Sequence, residues 1–154
     1  MFKSDRPYLE LTGRILISLI FLIAGIGKLM DWSGTAEYMA SKGMTDIPFF
    51  QTMALLFELG AGTCVLLGWH TRWAALALIV FLIPTTLIFH NFWAMEGSQR
   101  MDNMRHFLKN LAIMGALCKL TADGAGRFSL DARRGRTAIS FADVRVDAER
   151  VLSR

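Results

Sequence analysis

Five polar side chains lie in or beside apolar stretches of this chain, and their types could do chemistry: Lys28, Glu58, His90, Lys109 and Asn110. Glu58 is the most informative of them, because the run MALLFELGAGTCVLLG over residues 53–68 contains no other charged residue. A lone acid inside a membrane-spanning helix costs about 2.5 to 3.5 kcal/mol on insertion scales, so such an acid faces protein or water and has a partner. The sequence therefore predicts a buried polar site around Glu58.

The partners open to Glu58 are basic. We expect an ion pair with Lys28 or with Lys109, and we expect His90 and Asn110 to supply hydrogen-bond donors and acceptors beside it. Such a pocket suits an anionic or carbonyl-bearing ligand, or a quinone head group that needs a proton partner. The structural alternatives stay open: the two lysines can extend to the membrane surface, and Glu58 can form a salt bridge with no ligand.

The composition describes an integral membrane protein. Apolar residues make up 53% of the 154 residues, with 11 Phe, nine Met and four Trp, and the mean hydropathy is +0.38. The net charge of +4 comes from basic residues near the chain ends, which we expect to face anionic lipid rather than nucleic acid. Two cysteines within apolar runs exclude a disulfide-stapled scaffold, and three scattered histidines predict no metal site.

Four apolar stretches are expected to position the polar groups. About 20 residues of helix cross a hydrocarbon core of about 30 Å, which predicts an all-α bundle of four transmembrane helices within residues 1–131. The predicted spans cover approximately residues 12–30, 49–68, 73–90 and 106–121. A short helix from Thr35 to Lys42 is expected outside the membrane. Residues 132–154 form a basic tail that could include a short amphipathic helix.

The distribution of basic residues predicts the orientation. With four spans both termini share one side, which holds Lys3, Arg6, Arg14, Arg72 and eight basic residues from Lys119 onward. The loops on the other side hold Lys42, Arg100 and Arg105. Basic residues near span ends stay in the cytoplasm, so we expect a multi-pass protein of the bacterial inner membrane with cytoplasmic termini. Glu58 then lies about 14 Å of helix from the outer end of its span.

Several motifs together resemble the DoxX family of small bacterial four-helix membrane proteins. They are Gly13-Arg14, AGIGKL (24–29), LFELGAG (56–62), FHNFW (89–93), FLKNLA (107–112) and GAGRFSLD (124–131). The motif positions include Lys28, Glu58, His90, Lys109 and Asn110, the same residues that the predicted spans and orientation place in the outer half of the membrane. The resemblance implies the membrane partner of quinone-reducing thiosulfate oxidation or of a membrane-bound antioxidant assembly. A quinone is the cofactor that it suggests, although no haem, flavin or iron–sulfur ligation pattern is visible.

Three functional hypotheses follow. The first is a redox-associated or quinone-interacting subunit of a membrane oxidoreductase, acting on thiosulfate or a thiol by resemblance. The second is a non-catalytic membrane scaffold that docks soluble redox proteins through its basic tail. The third is a small anion or solute carrier, which at this length would have to form a homodimer to build a path.

Overall fold

The computed structural model describes residues 6–135. Most of the predicted basic tail, including any helix over residues 137–154, lies outside the described residues. Within residues 6–135 the protein is built from helices and contains no strand.

Within residues 6–123 six α-helices follow one another. They are α1 (Arg6–Met30), α2 (Trp32–Ser41), α3 (Ile47–Leu55), α4 (Gly62–Leu67), α5 (Thr71–Phe89) and α6 (Gly97–Asp123). A π-helical turn over Leu56–Ala61 joins α3 to α4, and a short 3₁₀ turn over Phe92–Ala94 precedes α6. The segment from Ile47 to Leu67 therefore runs as one long helix.

Three of these helical segments are long and apolar enough to cross a membrane: Arg6–Met30, Ile47–Leu67 and Thr71–Ala94. They correspond to the first three predicted spans. The region predicted as the fourth span lies within α6, which packs against α5 through Leu117 and its neighbours. Its 27 residues are long enough to cross, but its first turns are polar, and a fourth membrane crossing stays a prediction.

Local sequence sets the helix ends on the side predicted to face outward. The Asp31 carboxylate accepts a hydrogen bond from Gly34 N at 3.0 Å and so caps α2. The predicted short helix is confirmed, since α2 ends at Ser41 beside the predicted boundary. Gln51 is fully buried and donates to the backbone carbonyl of Trp32 at 2.8 Å, which ties the start of α2 to α3.

A second cluster of polar contacts closes the opposite end of the bundle; we call it the Arg14 clasp. Arg14 is 3% exposed, and its guanidinium donates to Phe128 O at 2.6 Å, to Leu66 O at 3.3 Å and to Ala125 O. Asp131 accepts hydrogen bonds from the backbone N–H groups of His70 and Thr71 at 2.8 and 2.9 Å. These contacts join α1, α4 and α5 to the loop that follows α6.

The contacts of Asp131 also set its charge state. Burial by itself raises the pKa of the Asp131 carboxyl, but hydrogen bonds from Thr71 and His70 outweigh burial and hold the pKa below its usual value. The carboxylate lies at the N-terminus of α5, where the helix dipole favours a negative charge. Asp131 therefore acts as a helix cap supplied by a segment about 60 residues away in sequence.

The core lies between the long helices. It is formed by Phe21, Val65, Leu78, Leu82 and Leu117, together with Ala74 and Ala75. Large apolar side chains such as Met30 and Trp73 point outward and are mostly exposed, as expected where the solvent is lipid.

Candidate functional site

The centre of the candidate site is an ion pair between α1 and the π-helical turn. Lys28 Nζ donates to Glu58 Oε1 at 2.7 Å and to Glu58 Oε2 at 2.8 Å. The Glu58 side chain is 6% exposed and that of Lys28 is 24% exposed. Of the two partners that the sequence left open, the structure pairs Glu58 with Lys28.

Glu58 lies within the π-helical turn, which the sequence did not predict. A π turn carries one residue more than an α turn and changes the direction of the side chains around it; such turns are frequent at functional sites. Glu58 is the buried residue of this turn, and its carboxylate faces α1.

Close contact between helices completes the geometry of the pair. A Cβ built at Gly25 of α1 would lie 2.6 Å from Leu59 Cδ2 and 3.3 Å from Glu58 Cβ, so a larger residue there would displace the Leu59 side chain and crowd Glu58. A Cβ at Gly62 would lie 3.3 Å from Phe21 Cβ, whereas a Cβ at Gly60 would meet nothing within 4 Å. Gly62 therefore lies at the contact with α1, and Gly60 does not.

A cavity of about 660 Å³ opens beside the ion pair, between α2, α3 and α5. This volume lies in the range of small-molecule sites, about 300 to 1,000 Å³. Most of the wall is apolar, with the stacked rings of Phe57 and Phe81 at 5.4 Å centroid separation. The polar side chains that line it include Lys28, Glu58, His90 and three threonines. The cavity therefore combines an apolar wall with few polar groups, as ligand pockets commonly do.

The remaining three predicted site residues lie apart from the ion pair. His90 lines the same cavity, but its Nδ1 lies 3.4 Å from Asn103 Oδ1 and its ring stacks on His106 at 5.0 Å. Asn110 donates to Thr86 Oγ1 at 3.0 Å and so joins α6 to α5. Lys109 is exposed on α6 and is not the partner of Glu58.

Sequence reasoning did not select the apolar residues of the cavity wall. Tyr38 of α2 lines the cavity and stacks on Phe89 at 5.5 Å. Met53, Phe57 and Glu58 all line the cavity from one long helix. The i, i+4 spacing of Met53 and Phe57, which places side chains on one helix face, was the available signal, but the same pattern also describes an ordinary lipid-facing or core helix.

The Lys28–Glu58 ion pair can form hydrogen bonds with a polar group of a ligand. An ammonium group has three N–H donors, and Lys28 Nζ uses two of them on Glu58. The third is available to a carbonyl oxygen in the cavity, while the carboxylate of Glu58 can accept from a hydroxyl. The ion pair thus offers a donor and an acceptor side by side.

Comparison with known proteins identifies relatives along most of the chain. The DoxX family model matches residues 9–91. Inner membrane protein YphA of Escherichia coli (strain K12) is 39% identical over 132 residues, covering 86% of this chain and 94% of the relative. Inner membrane protein YqjF of the same organism is 36% identical over 121 residues, covering 79% of this chain and 88% of the relative.

A mycobacterial relative extends the comparison. Uncharacterized membrane protein Rv3486 of Mycobacterium tuberculosis (strain ATCC 25618 / H37Rv) is 30% identical over 153 residues, covering 90% of this chain and 88% of the relative. No solved structure matches the chain. The match to the family model includes the Lys28–Glu58 pair and reaches His90, and together with the two Escherichia coli relatives it shows that this integral membrane protein belongs to the DoxX family.

Proposed function

We propose that the protein is a quinone-interacting subunit of a membrane redox system, and that it holds the quinone head group beside the Lys28–Glu58 pair. The observation that carries this proposal is the cavity of about 660 Å³ with apolar walls and a buried ion pair at one end. Quinones are lipid-soluble molecules with a ring, two carbonyl oxygens and an apolar tail. The cavity supplies surfaces for each of these parts.

The contacts around the pair support this assignment. The third N–H of Lys28 would donate to one carbonyl oxygen of an oxidised quinone, and the Glu58 carboxylate would accept from the hydroxyl of a reduced one. The parallel rings of Phe57 and Phe81, 9° apart, form an apolar wall against which the quinone ring and tail would pack. In this proposal the electrons come from a partner protein, and this chain binds and orients the quinone.

The proposed placement in the membrane follows from charge and length. We infer that α6 is a fourth span and that both termini are cytoplasmic, because this arrangement leaves the side predicted to be outer with few basic residues. The cavity then opens in the outer half of the bilayer. The Arg14 clasp lies at the cytoplasmic end.

A binding measurement with a water-soluble, short-tailed benzoquinone tests the proposal. We expect the purified protein to bind the quinone and Glu58→Gln to weaken binding at least tenfold, which corresponds to about 1.4 kcal/mol, because the substitution removes the carboxylate and releases Lys28. Glu37→Gln is the matched control, since Glu37 is an exposed acid on α2 that does not line the cavity. Absence of binding, or equal loss in both variants, would contradict the proposal.

A further inference from the structure

Four basic side chains are grouped at His90, which lines the cavity at the end of α5; we call them the basic rim. They are Lys42, His90, His106 and Lys109, which come from the loop after α2, the end of α5 and the outer part of α6. His90 lines the cavity itself. The ionisable groups that act on His90 are His106, Lys109 and Lys42, all of them basic, and the His106 ring stacks on that of His90 at 5.0 Å.

An aromatic contact joins one of these cations to the wall of the cavity. Lys42 Nζ lies 5.5 Å from the centroid of the Tyr38 ring, within the range of a cation–π interaction. Tyr38 in turn stacks on Phe89, and both rings line the cavity. Lys42 is therefore placed at the cavity edge by a contact with its wall.

The basic rim and the ion pair lie at different depths. On the α3 side the wall runs from Phe49 to Glu58, nine residues of helix or about 14 Å. At the inner end, Lys28 and Glu58 neutralise each other. At the outer end the ionisable groups that act on His90 are all basic, and two of them are lysines. The wall between the two ends is mainly apolar.

We propose that the basic rim is an anion subsite, and that the cavity takes amphiphiles whose phosphate or carboxylate lies at the rim while the apolar chain extends inward between α3 and α5. This goes beyond the proposed function, because a quinone head group is uncharged and uses the inner end. A phosphate or carboxylate accepts hydrogen bonds from ammonium and imidazole donors. The apolar wall excludes water from the chain of the same ligand.

Three probes with one ten-carbon chain and different head groups test the subsite. They are decyl phosphate, decanol and decyltrimethylammonium, bound to the full-length protein in non-ionic detergent and followed by native mass spectrometry. We expect decyl phosphate to bind at least tenfold more tightly than decanol, and decyltrimethylammonium to bind more weakly than either. Equal binding of the three probes would overturn the proposal.

Two double variants that remove the same charge test whether the basic rim causes the preference for decyl phosphate over decanol. Lys42→Gln with Lys109→Gln should reduce the preference for decyl phosphate over decanol to less than threefold and leave decanol binding unchanged. Arg100→Gln with Arg105→Gln removes the same charge from exposed positions on α6 that are not among the groups acting on His90, and should leave the preference intact. Equal loss in both double variants would show a diffuse surface effect and overturn the proposal.

Two further measurements distinguish a free anion from a lipid-borne one, and the anion subsite from the proposed quinone site. Displacement of decyl phosphate by millimolar inorganic phosphate would support a subsite that takes the free anion, whereas decyl phosphate that stays bound in millimolar inorganic phosphate would support a lipid-borne one. Glu58→Gln should leave the head-group preference unchanged, because it alters the inner end. Failure of quinone binding together with a retained preference would therefore remove the proposed function and leave the anion subsite.

Discussion

Removing Lys28 should destabilise the protein far more than removing an exposed lysine. In Lys28→Met the Glu58 carboxylate, in a residue only 5% exposed, loses both hydrogen bonds and its counter-charge. Leaving one member of a buried ion pair unpaired costs about 3 to 5 kcal/mol. Glu58→Gln should cost less, about 1 to 3 kcal/mol, because the Lys28 side chain is already 24% exposed and its stem can extend to the surface.

A double-mutant cycle measures this difference. The free energy of unfolding would be followed by circular dichroism in mixed micelles for wild type, Lys28→Met, Glu58→Gln and the double variant. We expect the double variant to be more stable than Lys28→Met alone, since it leaves no buried charge. Lys119→Met is the control: its side chain is 78% exposed and pairs with Asp123, so its loss should cost less than about 1 kcal/mol. A cost for Lys28→Met as small as that of the control, or strictly additive single effects, would refute the reasoning.

Three further predictions concern the Arg14 clasp. Arg14→Met should lower the free energy of unfolding by about 2 kcal/mol or more, since it leaves buried carbonyls of Leu66 and the 124–131 loop without donors; equilibrium unfolding in micelles that shows no change would contradict this. Asp131→Asn should be destabilising at pH 7. The pKa of Asp131 is lower in the folded protein than in the unfolded chain. The carboxylate therefore stabilises the fold above the unfolded pKa of about 3.9, and this stabilisation is lost as pH falls through the lower folded pKa. Stability curves of wild type and variant should therefore converge in acid, and a constant difference would count against the cap. Gly68→Ala should lower the free energy of unfolding more than Gly43→Ala does in the same assay. Both glycines have positive φ, at 68° and 76°, but only a Cβ at residue 68 would meet Ser129 and Arg14. Equal losses of stability would show that the Arg14 clasp can accommodate the added methyl group.

Much of the fold could be predicted because membrane-spanning helices can be recognised from their apolar composition. Runs of about 20 apolar residues located the first three long helices, and the short α2 was predicted from its polar, small residues and Gly43. The buried acid Glu58 was found for the same reason, since a charge is conspicuous among apolar neighbours. Its partner was narrowed to two lysines by depth, because spacing along a helix gives distance along the membrane normal.

Other features depend on contacts between distant residues. Arg14 was counted as a cytoplasmic surface charge, yet the structure buries it against carbonyls more than 50 and 110 residues away. Asn110 was placed beside Glu58 by depth, whereas it donates to Thr86. Depth fixes a position along a helix but leaves its rotation about the axis open, and that rotation decides which side chains meet.

The sequence by itself determined that this is an all-α membrane protein of the DoxX family, with one buried acid in its second span and basic side chains at similar depth. Only the tertiary structure decided that Lys28 is the partner of Glu58, that a π-helical turn directs the carboxylate towards α1, and that a cavity opens beside the pair. The physical reason is that insertion into lipid is governed by local apolar content, which can be read from the chain, whereas pairing inside the bundle depends on helix rotation and close packing, which arise when the helices meet.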